Sequence, residues 1–257
     1  MKVYAQPFWA PKQGNVDREY EDAFWPRKSR ERNTICFRCA VADGATETSY
    51  SRLWATQLVR YLCSNCPATA LDPDRLRKLQ QRWCKLVHRL VHRRPLPWYA
   101  EEKARQGAFA SILGLVFRDD VDRKGSGGPW QAVAVGDSCL VQVRGEEIQA
   151  RFPLAASQDF DNRPHLLSSN PTHNSRIVDH VRTKDGAWQV GDAFYLMTDA
   201  LACWFMRETE EGRTPWHVFR DLDTSDAEKP FRKWVETLRT GGAIRNDDVT
   251  LLRVDIP

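Results

Sequence analysis

The chain has 257 residues, 42% of them apolar, and a formal net charge of +4. That length allows one large domain or two small ones, with enough apolar material for a sizeable core. So mild a positive charge does not call for nucleic acid, and the longest apolar run, residues 108–117, is far too short to cross a membrane. The opening MKVYAQPFWAPKQG lacks a basic start followed by an apolar stretch, so no signal peptide is expected. Seven cysteines, an odd count without an export signal, fit reduced thiols and a cytoplasmic location.

Residues 20–27 read as a short strand. The charged connector Lys28-Ser29-Arg30-Glu31-Arg32-Asn33 follows, and residues 34–42, β-branched and apolar, read as the return strand of a hairpin. Helical spacing of Leu53, Trp54, Leu58, Tyr61 and Leu62 predicts a helix over 47–63. After a polar break with Pro67 and Pro73, a second helix over 74–92 carries Leu76, Leu79, Trp83, Leu86, Leu90 and Val91 on one stripe. Residues 107–118 form a buried strand, and Gly125-Ser126-Gly127-Gly128-Pro129 a turn. Strands over 130–135 and 140–144 join at Gly136-Asp137-Ser138. Residues 153–185 are rich in Pro, Ser, Asn and Asp and read as loops that shape substrate choice. A strand over 193–198 meets Asp199 and an apolar helix; 215–240 is helical, and 248–254 is the final strand. Strands on both sides of a helical pair, with helices again late, predict an α+β sandwich and not strict βαβ alternation. With no long linker, residues 1–257 are expected to form one domain.

Four aspartates fall at the ends of these strands: Asp22, Asp43, Asp199 and Asp247, with Glu21 beside Asp22. A turn centred near Arg32 places Asp22 opposite Asp43. If the last strand runs antiparallel beside the Asp199 strand, Asp247 lies next to Asp199. Carboxylates gathered at one edge repel each other and are stable as anions only with cations between them. Oxygen-only ligands favour Mg2+ or Mn2+ over zinc, and two such ions sharing a water suit phosphoester hydrolysis. The plainer account of any single aspartate is a helix or turn cap.

The order of these motifs resembles the metal-dependent protein phosphatase 2C family in its bacterial form. The resemblance is carried by Glu21-Asp22-Ala23, Val41-Ala42-Asp43-Gly44, Ala134-Val135-Gly136-Asp137-Ser138, Gly191-Asp192 through Leu196-Met197-Thr198-Asp199, and Asn246-Asp247-Asp248-Val249-Thr250. Gly107-Ala108-Phe109-Ala110-Ser111 matches a further family strand. Together these run in family order over about residues 15–256. The resemblance implies a four-layer α-β-β-α sandwich with two central, mainly antiparallel sheets. It also implies a phosphoserine/phosphothreonine protein phosphatase with two Mn2+ or Mg2+ ions, and a weaker third near Asp137. By position, Asp43 would bridge two ions, the Gly44 carbonyl would bind one, Asp199 and Asp247 would hold one, and Asp22 and Glu21 would serve the site. Implied partners are phosphoprotein substrates and a Ser/Thr kinase.

The departures are local. Asp43-Gly44 runs into Ala45-Thr46-Glu47, so the histidine acid of animal members has no counterpart at Ala45. The position of the phosphate-binding arginine, five before Asp22, holds Asp17, with Arg18 one step away as its replacement. Ala200 follows Asp199 where the family has Gly, and Asp248 stands for Asn. A second reading is therefore a phosphatase-fold binding or scaffold module, weak or inactive as a catalyst.

Two other signals compete. Cys36-Phe37-Arg38-Cys39 and Cys63-Ser64-Asn65-Cys66 suggest zinc. Residues three apart in a strand face opposite ways, however, and Phe37 and Arg38 are not turn residues, so core thiols are the simpler account. His88 and His92 lack the Glu of a zinc-protease helix. Their helix carries Arg75, Arg77, Lys78, Arg82, Lys85, Arg89, Arg93 and Arg94. A solvated basic face accounts for that run better than a nucleic-acid partner does.

Overall fold

Period-two burial and β-branched, aromatic-rich segments set two antiparallel sheets. The computed structural model describes residues 1–46, 48–64, 71–93, 98–120, 122, 126–161, 163–222 and 228–257. Glu47, Asn65, Cys66, Pro67, Arg94 and Gly125, all singled out in the sequence, lie outside the described residues.

The first sheet has the order β3 (Arg30–Asn33), β1 (Lys2–Ala10), β12 (Val249–Asp255), β11 (Asp192–Met197), β7 (Cys139–Arg144), β8 (Glu147–Phe152). The second has β10 (Arg182–Gln189), β6 (Gly127–Val135), β5 (Phe109–Arg118), β4 (Cys36–Gly44), β2 (Ala23–Trp25), with β9 (Leu167–Ser168) also on β5. Their facing sides share one apolar layer in which Phe117, Phe194 and Trp130 meet edge to face. The outer side of the second sheet packs against α1 (Ser51–Ser64), α2 (Pro73–Arg93) and α3 (Trp98–Gln106). The outer side of the first packs against α4 (Asp199–Glu210), α5 (Trp216–Asp221) and α6 (Glu228–Thr240). Helix, sheet, sheet, helix is the α+β sandwich expected, with mainly antiparallel pairing throughout.

Alternation decides which layer each residue joins. On β1, Val3 and Ala5 enter the layer between the sheets, while Phe8 and Ala10 enter the outer one. On β4, Phe37, Cys39 and Val41 face inward and Ala40 and Ala42 face the helices. Cys36 and Cys39 therefore lie on opposite faces, as core and edge thiols.

Several details differ from the expectation. β1, α3 and β8 add to the elements expected from sequence. The charged connector is itself a strand, β3, paired with β1 in the other sheet. α1 starts only at Ser51, because Tyr50 sits at φ +62° and closes a turn. Residues 153–185 contain β9 and the start of β10, an edge strand whose one buried side chain, Trp188, donates to the Arg118 carbonyl at 2.8 Å. On α2 the buried stripe is Leu76, Gln80, Trp83 and Val87, while Leu90 is 43% exposed.

Candidate active site

Two strand pairings deliver the carboxylates. β2 and β4 pair antiparallel with Ala23 opposite Ala42, so the next step along brings Asp22 to the end of β4 where Asp43 stands. β11 pairs with β12 with Met197 opposite Leu251. The chain then leaves β11 into Asp199, the first residue of α4, and enters β12 from Asp247. A third contribution comes from the β6–β7 turn, where Gly136 adopts φ +95° and a Cβ there would meet Ser111 Cβ at 2.5 Å. That turn presents Asp137, and Ser138 next to it shares a 2.7 Å hydrogen bond with Ser111.

Asp43, Asp137, Asp199 and Asp247 line one cavity of ≈ 160 Å3, with Ala45, Thr46, Pro164 and Leu166. Two further side chains on its wall were not singled out from sequence: Asp161 and Arg245. Asp161 belongs to the 153–185 loop region. The Arg245 guanidinium forms an ion pair with Asp199 and a 3.6 Å pair with Asp247. No sequence periodicity marks Arg245, because it sits in the connection before β12.

The other expected residues stand around this wall. Asp22 is 2% exposed; its Oδ2 accepts from Thr250 Oγ1 at 2.7 Å, while its Oδ1 has no hydrogen-bond partner. Tyr20 hydroxyl bonds the same Thr250 hydroxyl. Glu21 accepts from the Ser51 hydroxyl at the start of α1. Gly44 must be glycine for close approach: a Cβ would stand 2.7 Å from the Glu21 carbonyl oxygen. Arg18 lies in an exposed turn whose carbonyl accepts from Arg52, and is not among the cavity's lining residues. Asp17, at the expected arginine position, pairs with Arg232 at 2.8 Å. Asp248 turns away from the cavity and accepts from the backbone N–H of Lys12 at 2.7 Å and of Glu21 at 2.6 Å.

Electrostatically the cluster is under-neutralised. Burial, together with facing Asp137 and Asp247, pushes the Asp43 carboxyl up to about 8, although Arg245 opposes the rise. Burial and the neighbouring Asp43 hold Asp22 well above the usual carboxylate range. Burial also raises Asp137, to about 6, again against the pull of Arg245. Such groups gain when a further cation enters. The donor set is oxygen-only, and Asp22 Oδ1 is a buried acceptor with no donor, so the chemistry fits a hard divalent ion. Among the described residues, no three His, Cys, Asp or Glu side chains stand close enough to hold one as they are now arranged. The zinc alternative finds no such cluster either, with Cys66 outside the described residues.

On α2 the basic side chains described are exposed, and His88 and His92 stack with ring centroids 6.5 Å apart. No described helix is long and apolar enough to cross a membrane.

Comparison with known proteins agrees with this architecture. The sequence profile of protein phosphatase 2C matches residues 17–246. No curated protein matches the chain. Among solved structures, the chain is similar to the Mycobacterium tuberculosis serine/threonine phosphatase PstP/Ppp at 13% identity and TM-score 0.62, over 100% of this chain and 99% of that one. A second structure, the catalytic domain of PstP in complex with two manganese ions, gives 14% identity and TM-score 0.58 over 98% of both chains. The S. agalactiae serine/threonine phosphatase gives 13% identity and TM-score 0.57 over 99% of this chain and 100% of that one. At these identities the likeness speaks for the fold.

Proposed function

Because the chain belongs to the protein phosphatase 2C family, we propose that it is a metal-dependent phosphoserine/phosphothreonine protein phosphatase. The observation that carries this reading is the meeting of Asp43, Asp137, Asp199 and Asp247 on one cavity wall, from four separate strand ends. Asp43, Asp199 and Asp247 would hold two Mn2+ or Mg2+ ions, with the Gly44 carbonyl beside them and Asp137 and Asp161 placed for a third. Bound ions would acidify water and offset charge on the phosphoryl oxygens.

The chain's own groups have distinct tasks. Asp22 lies behind Asp43, fixed by Thr250, and adds a second buried carboxyl beside it. Glu21 is tied to Ser51 and so fixes the start of α1 against the β4 end. Asp161, Pro164 and Leu166 also line the cavity, and a phosphorylated segment would lie against them. With Ala45 at the position of the family's histidine, that position has no acid to protonate the leaving alkoxide oxygen, and water would supply the proton.

Phosphoproteins are the proposed substrates, and a Ser/Thr kinase that makes them the proposed counterpart. A weak or inactive binding module is the second reading, favoured by the ion pair of Arg245 with Asp199. Release of phosphate from a phosphothreonine peptide, and hydrolysis of p-nitrophenyl phosphate, separate the two. The proposal expects turnover with Mn2+ that stops with a chelator. Peptide binding without metal-dependent turnover would establish the second reading.

A further inference from the structure

We propose that Arg245 is the resident cation of the acidic cavity. Its guanidinium holds Asp199 and Asp247 in the metal-free chain, gives up those carboxylates on metal binding, and turns to the phosphoryl oxygens of the substrate. This rests on reading the cavity as a metal-dependent phosphatase centre, and assigns that centre a phosphate ligand which the family motifs do not supply here.

Three observations lead to it. First, Arg245 is the one cation among the described residues lining the ≈ 160 Å3 cavity, and it faces five carboxylates there. It pairs with Asp199 and Asp247, two carboxylates that would otherwise be free to hold a divalent ion. Second, its side chain is 50% exposed, so it is not locked in by packing. It also lines the adjoining ≈ 360 Å3 cavity with Phe160, Cys203, Trp204 and Arg207, and has room to move there. Third, the arginine position before Asp22 is filled by Asp17, engaged with Arg232, and Arg18 is exposed away from the cavity wall.

The chemistry is that of one fork serving two anions. A guanidinium pairs two-pronged with a carboxylate or with a phosphoryl group, and is never deprotonated. While it sits on Asp199 and Asp247 it lowers their capacity for Mn2+. Once displaced by a few ångströms it faces the same space, where a phosphomonoester dianion needs positive charge beyond that of the ions. Loss of the guanidinium therefore shifts the two affinities in opposite directions. A merely structural arginine would shift both the same way or neither.

Titration calorimetry of the full chain with MnCl2, and then with inorganic phosphate at saturating Mn2+, tests this on wild type and Arg245→Gln. The expected result is about tenfold tighter Mn2+ binding and about tenfold weaker phosphate binding in the variant, each step of ten being about 1.4 kcal/mol. Equal Mn2+ affinity in both proteins, or unchanged phosphate affinity in the variant, would overturn the inference and leave the metal centre standing. Failure of both proteins to bind Mn2+ would instead remove the centre itself and this inference with it. Arg245→Gln keeps a polar end while removing the charge, and its thermal unfolding midpoint separates misfolding from a changed site. Should that variant be unstable, Arg245→Lys must still bind phosphate more weakly than wild type, because an ammonium cannot engage two oxygens in a plane.

Discussion

Single carboxyl groups explain why this cavity wants a cation. Asp43 stands at the end of β4, facing Asp137 and Asp247, with Asp22 buried behind it. Only Arg245 offsets them among the cavity's described lining residues. Burial and mutual repulsion raise Asp22, Asp43 and Asp137 above their unfolded values, the last two to about 8 and about 6. The folded metal-free chain therefore binds more protons than the unfolded one. Linkage fixes the sign: stability from these groups is present in mild acid and is lost as pH rises through the folded values. In chelator, the thermal unfolding midpoint is expected to fall between about pH 5 and about pH 8. Millimolar Mg2+ should abolish most of that fall. A midpoint that is flat or rises over this range in chelator would contradict the electrostatic account.

Elements hold the wall in register through a few long-range ties. Asp248 joins β12 to the segment after β1 and to the segment before β2, through the N–H groups of Lys12 and Glu21. Arg239 on α6 adds bonds to the carbonyls of Pro11 and Asp247. Asp248→Ala strands two half-buried donors and is expected to cost about 1–3 kcal/mol in urea unfolding, while Asp248→Asn, which keeps an acceptor, costs less. Equal losses for the two variants would rule out the tie. At this scale the sequence was legible wherever apolar periodicity met a turn signal. A turn centred near Arg32 implies the register that sets Asp22 against Asp43, and β2 and β4 adopt that register although Arg32 itself lies in β3; the antiparallel placement of Asp199 and Asp247 was legible from strand ends alone. Illegible were elements whose burial comes from distant partners. β10 is almost wholly polar, with its Gly186 packed on the Trp130 ring. β3 is a charged run that pairs only because β1 lies beside it. Arg245, Asp161 and the backbone role of Asp248 are likewise contacts across the fold, without local pattern.

The whole molecule brings the site together because its two sheets share one core. Strand ends from both sheets, β4 on one side and β11 and β12 on the other, with the β6–β7 turn that crosses between the sheets, open onto one cavity. Phe194 lies fully buried in that shared layer, its ring 4.8 Å from Phe117 and 6.1 Å from Trp130. Phe194→Ala is expected to cost about 3–5 kcal/mol, read as a lower denaturant midpoint by fluorescence and circular dichroism together. Separate transitions for the two probes would mean that the sheets do not unfold as one unit. The central claim is that this convergence serves phosphoester hydrolysis through Asp43, and one measurement tests it most directly: phosphate release from a phosphothreonine peptide at saturating Mn2+ by wild type and Asp43→Asn, with metal-free unfolding midpoints recorded alongside. The account predicts a loss of about 100-fold or more in turnover, with a metal-free midpoint that holds or rises because a poorly neutralised carboxyl has gone. Equal turnover by the two proteins would contradict it.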